Sequence, residues 1–278
     1  MRIAAVFSII FGLALGSVAN AALIASDSAA DSAYDSGWVD GSNGGTGFGP
    51  WSLNVSIQDG DRNGFFMGSS ANNGSAPSGN IDTAGRSWGM YANGSDAVLN
   101  ALAVAYRPFT GSLSVGQTLT LAMDNGFIDN SYMVGFSLMN ADPATPIPVG
   151  ALPNSNTRFS FSFTGGESTY KLTLGDGMGG TTSVDTGVGF TADGLSVAFT
   201  LLAGDQYAFS VNGGTPFTGS LGGTSDEALN GIALFNYRAG EGSSNDAFFN
   251  SLAIIPEPGT GLLVGLGLLG VALRRRRK

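Results

Sequence analysis

The run Trp51-Ser52-Leu53-Asn54-Val55-Ser56-Ile57-Gln58 places a large apolar side chain at every odd position and a polar one at every even position. Successive side chains of an extended chain point to opposite faces, so a period of two predicts a strand with one face in a core. The same rule returns at Leu119, Leu121 and Met123 between Thr118, Thr120 and Ala122, and at Phe159, Phe161 and Phe163 between Ser160 and Ser162. It returns again at Leu195, Val197, Phe199 and Leu201, then at Tyr207, Phe209 and Val211. Turn dipeptides separate these runs: Asp59-Gly60, Asn63-Gly64, Asn125-Gly126, Asp176-Gly177, Asp193-Gly194 and Asn212-Gly213. In each, Gly or Asn accepts the positive φ that a tight turn needs. The clearest hairpin runs over 207–211, turns at Asn212-Gly213-Gly214 and returns over 217–221.

About a dozen short strands without intervening helical periods predict an all-β fold, an antiparallel β-sandwich of jelly-roll, lectin-like type. One stretch, 97–109, carries a mixed signal and is expected to begin as a helical turn before a strand over 104–109. Four of the ten prolines fall in 140–156, which reads as a long loop. No repeat or charge run divides 22–255, so a single domain is expected there. Its closing segment, Gly231-Ile232-Ala233-Leu234-Phe235 followed by Asp246-Ala247-Phe248-Phe249-Asn250, resembles the final strand pair of concanavalin-like and carbohydrate-binding jelly rolls.

The composition excludes several functions. Between 22 and 255 there are 20 acidic residues (21 less Glu257) and 6 basic ones (12 less Arg2 and the five of 274–278), a net charge of 6 − 20 = −14. Such a domain repels nucleic acid and anionic lipid. With no cysteine it has no disulfide, so its stability rests on a core. Without histidine or cysteine it cannot build a Ser-His-Asp triad, a Cys-His pair or an ordinary zinc site. Two carboxylates could still serve glycoside hydrolysis, but Glu167, Glu227 and Glu241 do not alternate with another acid on a strand, and the side chains of Asp226-Glu227 point to opposite faces of extended chain. A non-enzymatic protein is expected, with a glycan-active enzyme as its rival.

The two ends of the chain read as addresses. Arg2, the apolar run 3–16 and Ala19-Asn20-Ala21 have the order of a signal peptide over 1–21, cleaved after Ala21 by the export machinery. At the other end, Pro256-Glu257-Pro258 precedes a charge-free Gly/Leu/Val run over 259–273, and Arg274, Arg275, Arg276, Arg277 and Lys278 close the sequence. As a helix the 15-residue run would measure about 22 Å against a hydrocarbon core of about 30 Å. That is short for a permanent span, although snorkelling arginines recover part of the deficit and hold their end on the cytoplasmic side. The prolines keep the junction extended. Gly261 and Gly265 form a small-xxx-small pair that could dock on another membrane helix, and a plain C-terminal anchor with a stop-transfer cluster is the alternative reading of the whole segment.

The order Pro-Glu-Pro, short apolar helix, arginine cluster over 256–278 closely resembles the PEP-CTERM sorting signal of exported proteins in Gram-negative bacteria. The resemblance implies an exosortase as partner, transient anchoring in the inner membrane through 259–273, and a final place at the cell surface or in the extracellular matrix. It also implies company with exopolysaccharide and biofilm. A structural or carbohydrate-contacting role follows as the expectation, with a simple membrane-anchored periplasmic binding module as a further alternative.

Two candidate sites remain in the domain. Asp59-Gly60-Asp61-Arg62-Asn63-Gly64 follows the start of a calcium loop, in which Asp59, Asp61 and Asn63 offer oxygens to a hard cation. Ser70 stands where such a loop carries its bidentate Glu, and a simple hairpin turn fits the stretch better. Asp246 with Asp27, Asp31 and Asp35 is a weaker calcium set, should first and last strands lie side by side. No other cofactor is expected. For carbohydrate, Trp38 and Trp88 lie beside Gly37 and Gly89 among polar residues and could present ring faces to pyranose rings, whereas Trp51 reads as core.

Overall fold

The computed structural model describes residues 23–56, 62–73, 81–93, 101–143, 152–176, 178 and 180–256. Ala19, Ala21, Asp59 and Asp61 lie outside them, as does the sorting segment beyond Pro256, including Glu257, Pro258 and Arg274 to Arg277. Among the described residues no helix is long and apolar enough to cross a membrane.

Among the described residues fifteen strands form two antiparallel sheets. The first sheet holds β13 (Phe217–Ser220), β12 (Gln206–Val211), β11 (Leu195–Leu202), β6 (Thr118–Asn125), β15 (Ala247–Ile255), β4 (Ser87–Ala92) and β3 (Asn63–Gly68) in that spatial order, and β1 (Ala25–Asp27) also pairs with β15. The second runs β10 (Thr181–Gly189), β9 (Thr169–Gly175), β8 (Thr157–Thr164), β7 (Met133–Met139), β14 (Gly231–Tyr237), β5 (Leu102–Pro108) and β2 (Ser52–Val55). The all-β sandwich expected from the alternation is therefore the fold.

Between the sheets the alternating aromatics interlock. Phe159 and Phe161 of β8 meet Phe199 and Phe209 of β11 and β12, with ring centroids 4.9–5.1 Å apart. The hairpin over 207–221 forms with Phe209 opposite Phe217. Its turn places Asn212 and Gly213 at φ +51° and +67°, and the Gly214 N–H closes onto the Val211 carbonyl at 2.9 Å.

Three expectations need correction. The 59–64 stretch is not a hairpin: β2 pairs with β5 and β3 with β4, so the connection crosses from one sheet to the other. The closing strands do not pair with each other either. β14 lies between β7 and β5 in the second sheet, while β15 lies in the first. Finally, the described part of 97–109 is strand β5, and its mixed signal comes from burial on both faces. Ala103 and Ala105 point into the sandwich, whereas Leu102, Val104 and Tyr106 join Met139, Leu152 and Phe235 in a second apolar cluster on the outer face. A strand buried on both sides loses its alternation.

The strand directions give the sandwich two poles. Pro256 leaves at the end of β15, where Ile255 pairs with Thr118 and the Ile24 N–H donates to the Ile254 carbonyl at 2.9 Å. Both ends of the described chain therefore meet at one pole. The loops 126–132, 165–168, 190–194 and 238–246 gather at the other, one length of β15 away, about 30 Å at roughly 3.3 Å per residue.

Candidate functional site

At the pole remote from the exit stands a pair of exposed aromatic rings. Phe127 is 56% exposed and Phe190 36%. Their rings lie nearly parallel, 16° between planes, with centroids 6.2 Å apart. Each is braced. Phe190 rests on the buried ring of Phe163 at 5.0 Å. Phe127 is held by its backbone, whose N–H donates to the Ser244 carbonyl at 2.7 Å and whose carbonyl accepts from Asn245 Nδ2 at 2.9 Å. Asn245 in turn donates to the Ala239 carbonyl at 2.7 Å, which ties the 238–246 loop to the same spot. Fixed rings surrendering little entropy are what stacking on the apolar face of a sugar requires. Beside them the Gly126 N–H donates to the Asp246 carbonyl at 3.3 Å. Burial pushes the Asp246 carboxyl up to about 7.

The tryptophans expected to meet sugar are elsewhere. Trp38 and Trp88 are 2% and 0% exposed, and with Trp51 they form one cluster. Centroids are 5.2 Å apart for Trp38–Trp51, 5.3 Å for Trp51–Trp88 and 6.1 Å for Trp38–Trp88, while Phe65 and Tyr34 close the flanks. Their faces are occupied by one another, so they offer none to a ligand. The flanking glycines and polar neighbours suggested a surface because the N-terminal segment that covers these rings is itself polar and glycine-rich.

That segment is locked by a buried ion pair. Arg107 of β5 reaches from the second sheet to Asp27 of β1 in the first, Nη2 to Oδ2 at 3.0 Å, with both side chains fully buried. The guanidinium also donates to the Gly44 carbonyl at 2.7 Å and to Asn43 Oδ1 at 3.1 Å, and lies 4.9 Å from the Trp51 ring centroid. Tyr34 donates to Asp27 and accepts from Trp51 Nε1 at 3.0 Å. Burial drives the Asp27 carboxyl above its ordinary value, against the downward pull of Tyr34 and Arg107, and drives Arg107 below its own. Gly45, at φ +68°, lets 42–46 lie against β1, because a Cβ there would sit 1.9 Å from the Ser26 carbonyl oxygen.

The acidic sets expected to bind calcium are only partly visible. Asn63 is buried in β3 and donates to the Leu102 carbonyl at 3.3 Å, while its Oδ1 has no hydrogen-bond partner. First and last strands do lie side by side, but Asp27 pairs with Leu252, and Asp246 precedes the far end of β15. The weaker set therefore does not converge. Among the described residues no three acidic side chains are grouped to hold a metal. Asp31 instead caps the turn Ser32–Tyr34, and Asp35 pairs with Arg86 at 2.7 Å.

At the exit pole, the last described residue is Pro256, and the protein-family comparison matches residues 255–277 to the PEP-CTERM protein-sorting motif. The chain carries a PEP-CTERM sorting signal. Such a signal is the recognised target of an exosortase and implies export to the cell envelope or surface in Gram-negative bacteria. The signal starts at the final residue of β15, so the folded domain ends where the sorting segment begins.

No curated protein matches the chain. Among solved structures it is similar to a carbohydrate esterase from the Shiga toxin-encoding bacteriophage phi24B, at 13% identity and TM-score 0.46, over 85% of this chain and 99% of that one. It is also similar to domain 4 of AbnA, a GH43 extracellular arabinanase from Geobacillus stearothermophilus in complex with arabinotriose, at 14% identity and TM-score 0.46, over 85% and 93%. A third similarity, to the HCR/D F1240A mutant, has 9% identity and TM-score 0.40. It covers 67% of this chain and spans only 42% of that one.

Proposed function

We propose that the protein is a non-enzymatic component of the extracellular polysaccharide layer, released to the surface by an exosortase and touching glycan with its aromatic pole. The observation that carries this reading is the braced, exposed pair Phe127–Phe190, turned away from the pole at which the sorting segment leaves. Stacking on two phenylalanines is tolerant of sugar identity, which suits a matrix component more than a selective receptor. Among the described residues each strand that carries an acid carries one, so none of these strands lines up a catalytic pair. A structural calcium ion at Asp59, Asp61 and Asn63 belongs to the same proposal, supported by the unpartnered Asn63 Oδ1.

One observation favours a glycan-active enzyme instead: Asp246, beside the aromatic pair, has a carboxyl pushed up to about 7, a value that suits a general acid. One experiment separates the two. Mature protein is isolated from the cell surface, its mass showing whether 274–278 have been removed, and is assayed on exopolysaccharide for binding and for release of reducing ends. Binding without turnover, lost in Phe127→Ala/Phe190→Ala and kept in Asp246→Asn, is expected. Turnover that Asp246→Asn abolishes would overturn the non-enzymatic reading, and unchanged binding in the double alanine variant would overturn the aromatic site.

A further inference from the structure

The rim of the first sheet at the exit pole carries a row of exposed apolar side chains. Leu202 closes β11, Val115 stands in the turn before β6, Ile255 closes β15, and Leu23 and Ile24 precede β1. These ends are neighbours in order. The Gly116 N–H donates to the Leu201 carbonyl at 2.8 Å, Thr118 pairs with both Thr200 and Ile255, and the Ile24 N–H donates to the Ile254 carbonyl. Leu23, Ile24, Val115 and Leu202 are all exposed. Four large exposed hydrocarbon side chains along one rim are a poor arrangement for water in a domain of net charge −14.

We infer that this rim rests on the surface of the lipid bilayer while the sorting segment is in place. The inference relies on the reading of 259–273 as a membrane segment. What lies between rim and segment is short: Pro256, Glu257 and Pro258 span at most about 10 Å at roughly 3.3–3.6 Å per residue. A domain tethered that closely cannot stand clear of the headgroups, and the face it turns to them is the one around its exit. Leu23, Ile24 and the other apolar side chains of the rim reach the interface. Acids at this pole, Asp205, Asp226 and Glu227, border Val115 and Leu202 at the end of the rim remote from the tether, where Asp205 pairs with Arg158 at 3.2 Å and Glu227 accepts from Asn140 at 2.9 Å. The contact therefore suits an uncharged or zwitterionic lipid surface and keeps the aromatic pole about 30 Å from it, by the length of β15 at roughly 3.3 Å per residue.

The chain has no cysteine, so single substitutions give single labels. Full-length Val115→Cys, Leu202→Cys, Thr215→Cys and Gly265→Cys are labelled with an environment-sensitive fluorophore and reconstituted in phosphatidylcholine vesicles containing a shallow spin-labelled lipid. Loss of most of the fluorescence at 115 and 202, with none at 215 on the opposite pole, is the expected result. Quenching at 265 without quenching at 115 and 202 would overturn the rim contact while leaving the membrane segment intact. No quenching at 265 would overturn the membrane segment and the contact together.

Discussion

Replacing Arg107 by methionine removes one partner of a fully buried ion pair and leaves the volume of the side chain nearly unchanged. Asp27 would keep Tyr34 and the Ser28 N–H but lose the guanidinium at 3.0 Å, the Gly44 carbonyl and Asn43 Oδ1 would lose their donor, and the Ser42 carbonyl would keep only the Trp51 N–H. Removing one side of a buried pair costs about 3–5 kcal/mol. A domain of this size shifts its Tm by roughly 2–4 °C per kcal/mol, so Arg107→Met should melt about 10 °C lower in a calorimetric scan. Pairing the change with Asp27→Asn removes the stranded carboxyl, and the double variant should recover part of the loss, with a coupling of about 0.5–3 kcal/mol. The pH dependence has a definite sign. Burial raises the Asp27 carboxyl, so the folded protein holds that proton more readily than the unfolded chain. The contribution is full below the unfolded value of 3.8 and is lost as pH rises through the folded value. Mild acid should therefore not loosen this tie. An Arg107→Met variant within about 1 kcal/mol of the parent, or a double variant whose loss equals the sum of the single ones, would refute the cross-sheet lock.

Two further outcomes follow from other buried groups. Burial pushes the Asp124 carboxyl, with Asn73 Nδ2 at 3.0 Å, from 3.8 up to about 7, so its ionisation costs stability as pH rises through that interval. At about 1.4 kcal/mol per pKa unit, Asp124→Asn should gain on the order of a few kcal/mol at pH 8 relative to pH 4, and an identical Tm difference from the parent at both pH values would contradict it. If calcium is held at 59–63, a chelator should lower the Tm of the calcium-saturated protein, by an amount equivalent to about 2.7 kcal/mol for an ion supplied at a hundred times its Kd. A Tm that does not move rules the ion out.

Much of this fold was legible because its inner face is built by period-two runs. Phe159, Phe161, Phe199 and Phe209 all point where the alternation sends them. The failures have physical causes. β5 and β14 are apolar on both faces, so alternation vanished in these two neighbouring strands of the second sheet. Local turn chemistry at Asp59-Gly60 and Asn63-Gly64 could not tell a hairpin from a passage between sheets, because the partner strands β5 and β4 are distant in sequence. Arg107 could have been noticed, since it continues the inward series Ala103, Ala105, but its acid lies 80 residues earlier. The aromatic pair had a fainter signal: Phe127 directly follows Asn125-Gly126 and Phe190 directly follows Gly189, two large rings in turns where small or polar residues are usual. The three tryptophans, by contrast, belong to the core.

The position of β15 has one more consequence, for the order in which the molecule can be made. A chain threaded through a membrane from its N-terminus delivers β15 last, yet β15 fills the gap between β6 on one side and β4 and β1 on the other. Until β15 has emerged, those three strands keep open edges, and the first sheet exists only as three separate pieces. The sorting signal arrives with its last residue, Ile255. Completion of the fold and arrival of the sorting signal thus follow one another directly, and a chain broken off before residue 247 would lack both the strand that closes its sheet and the signal.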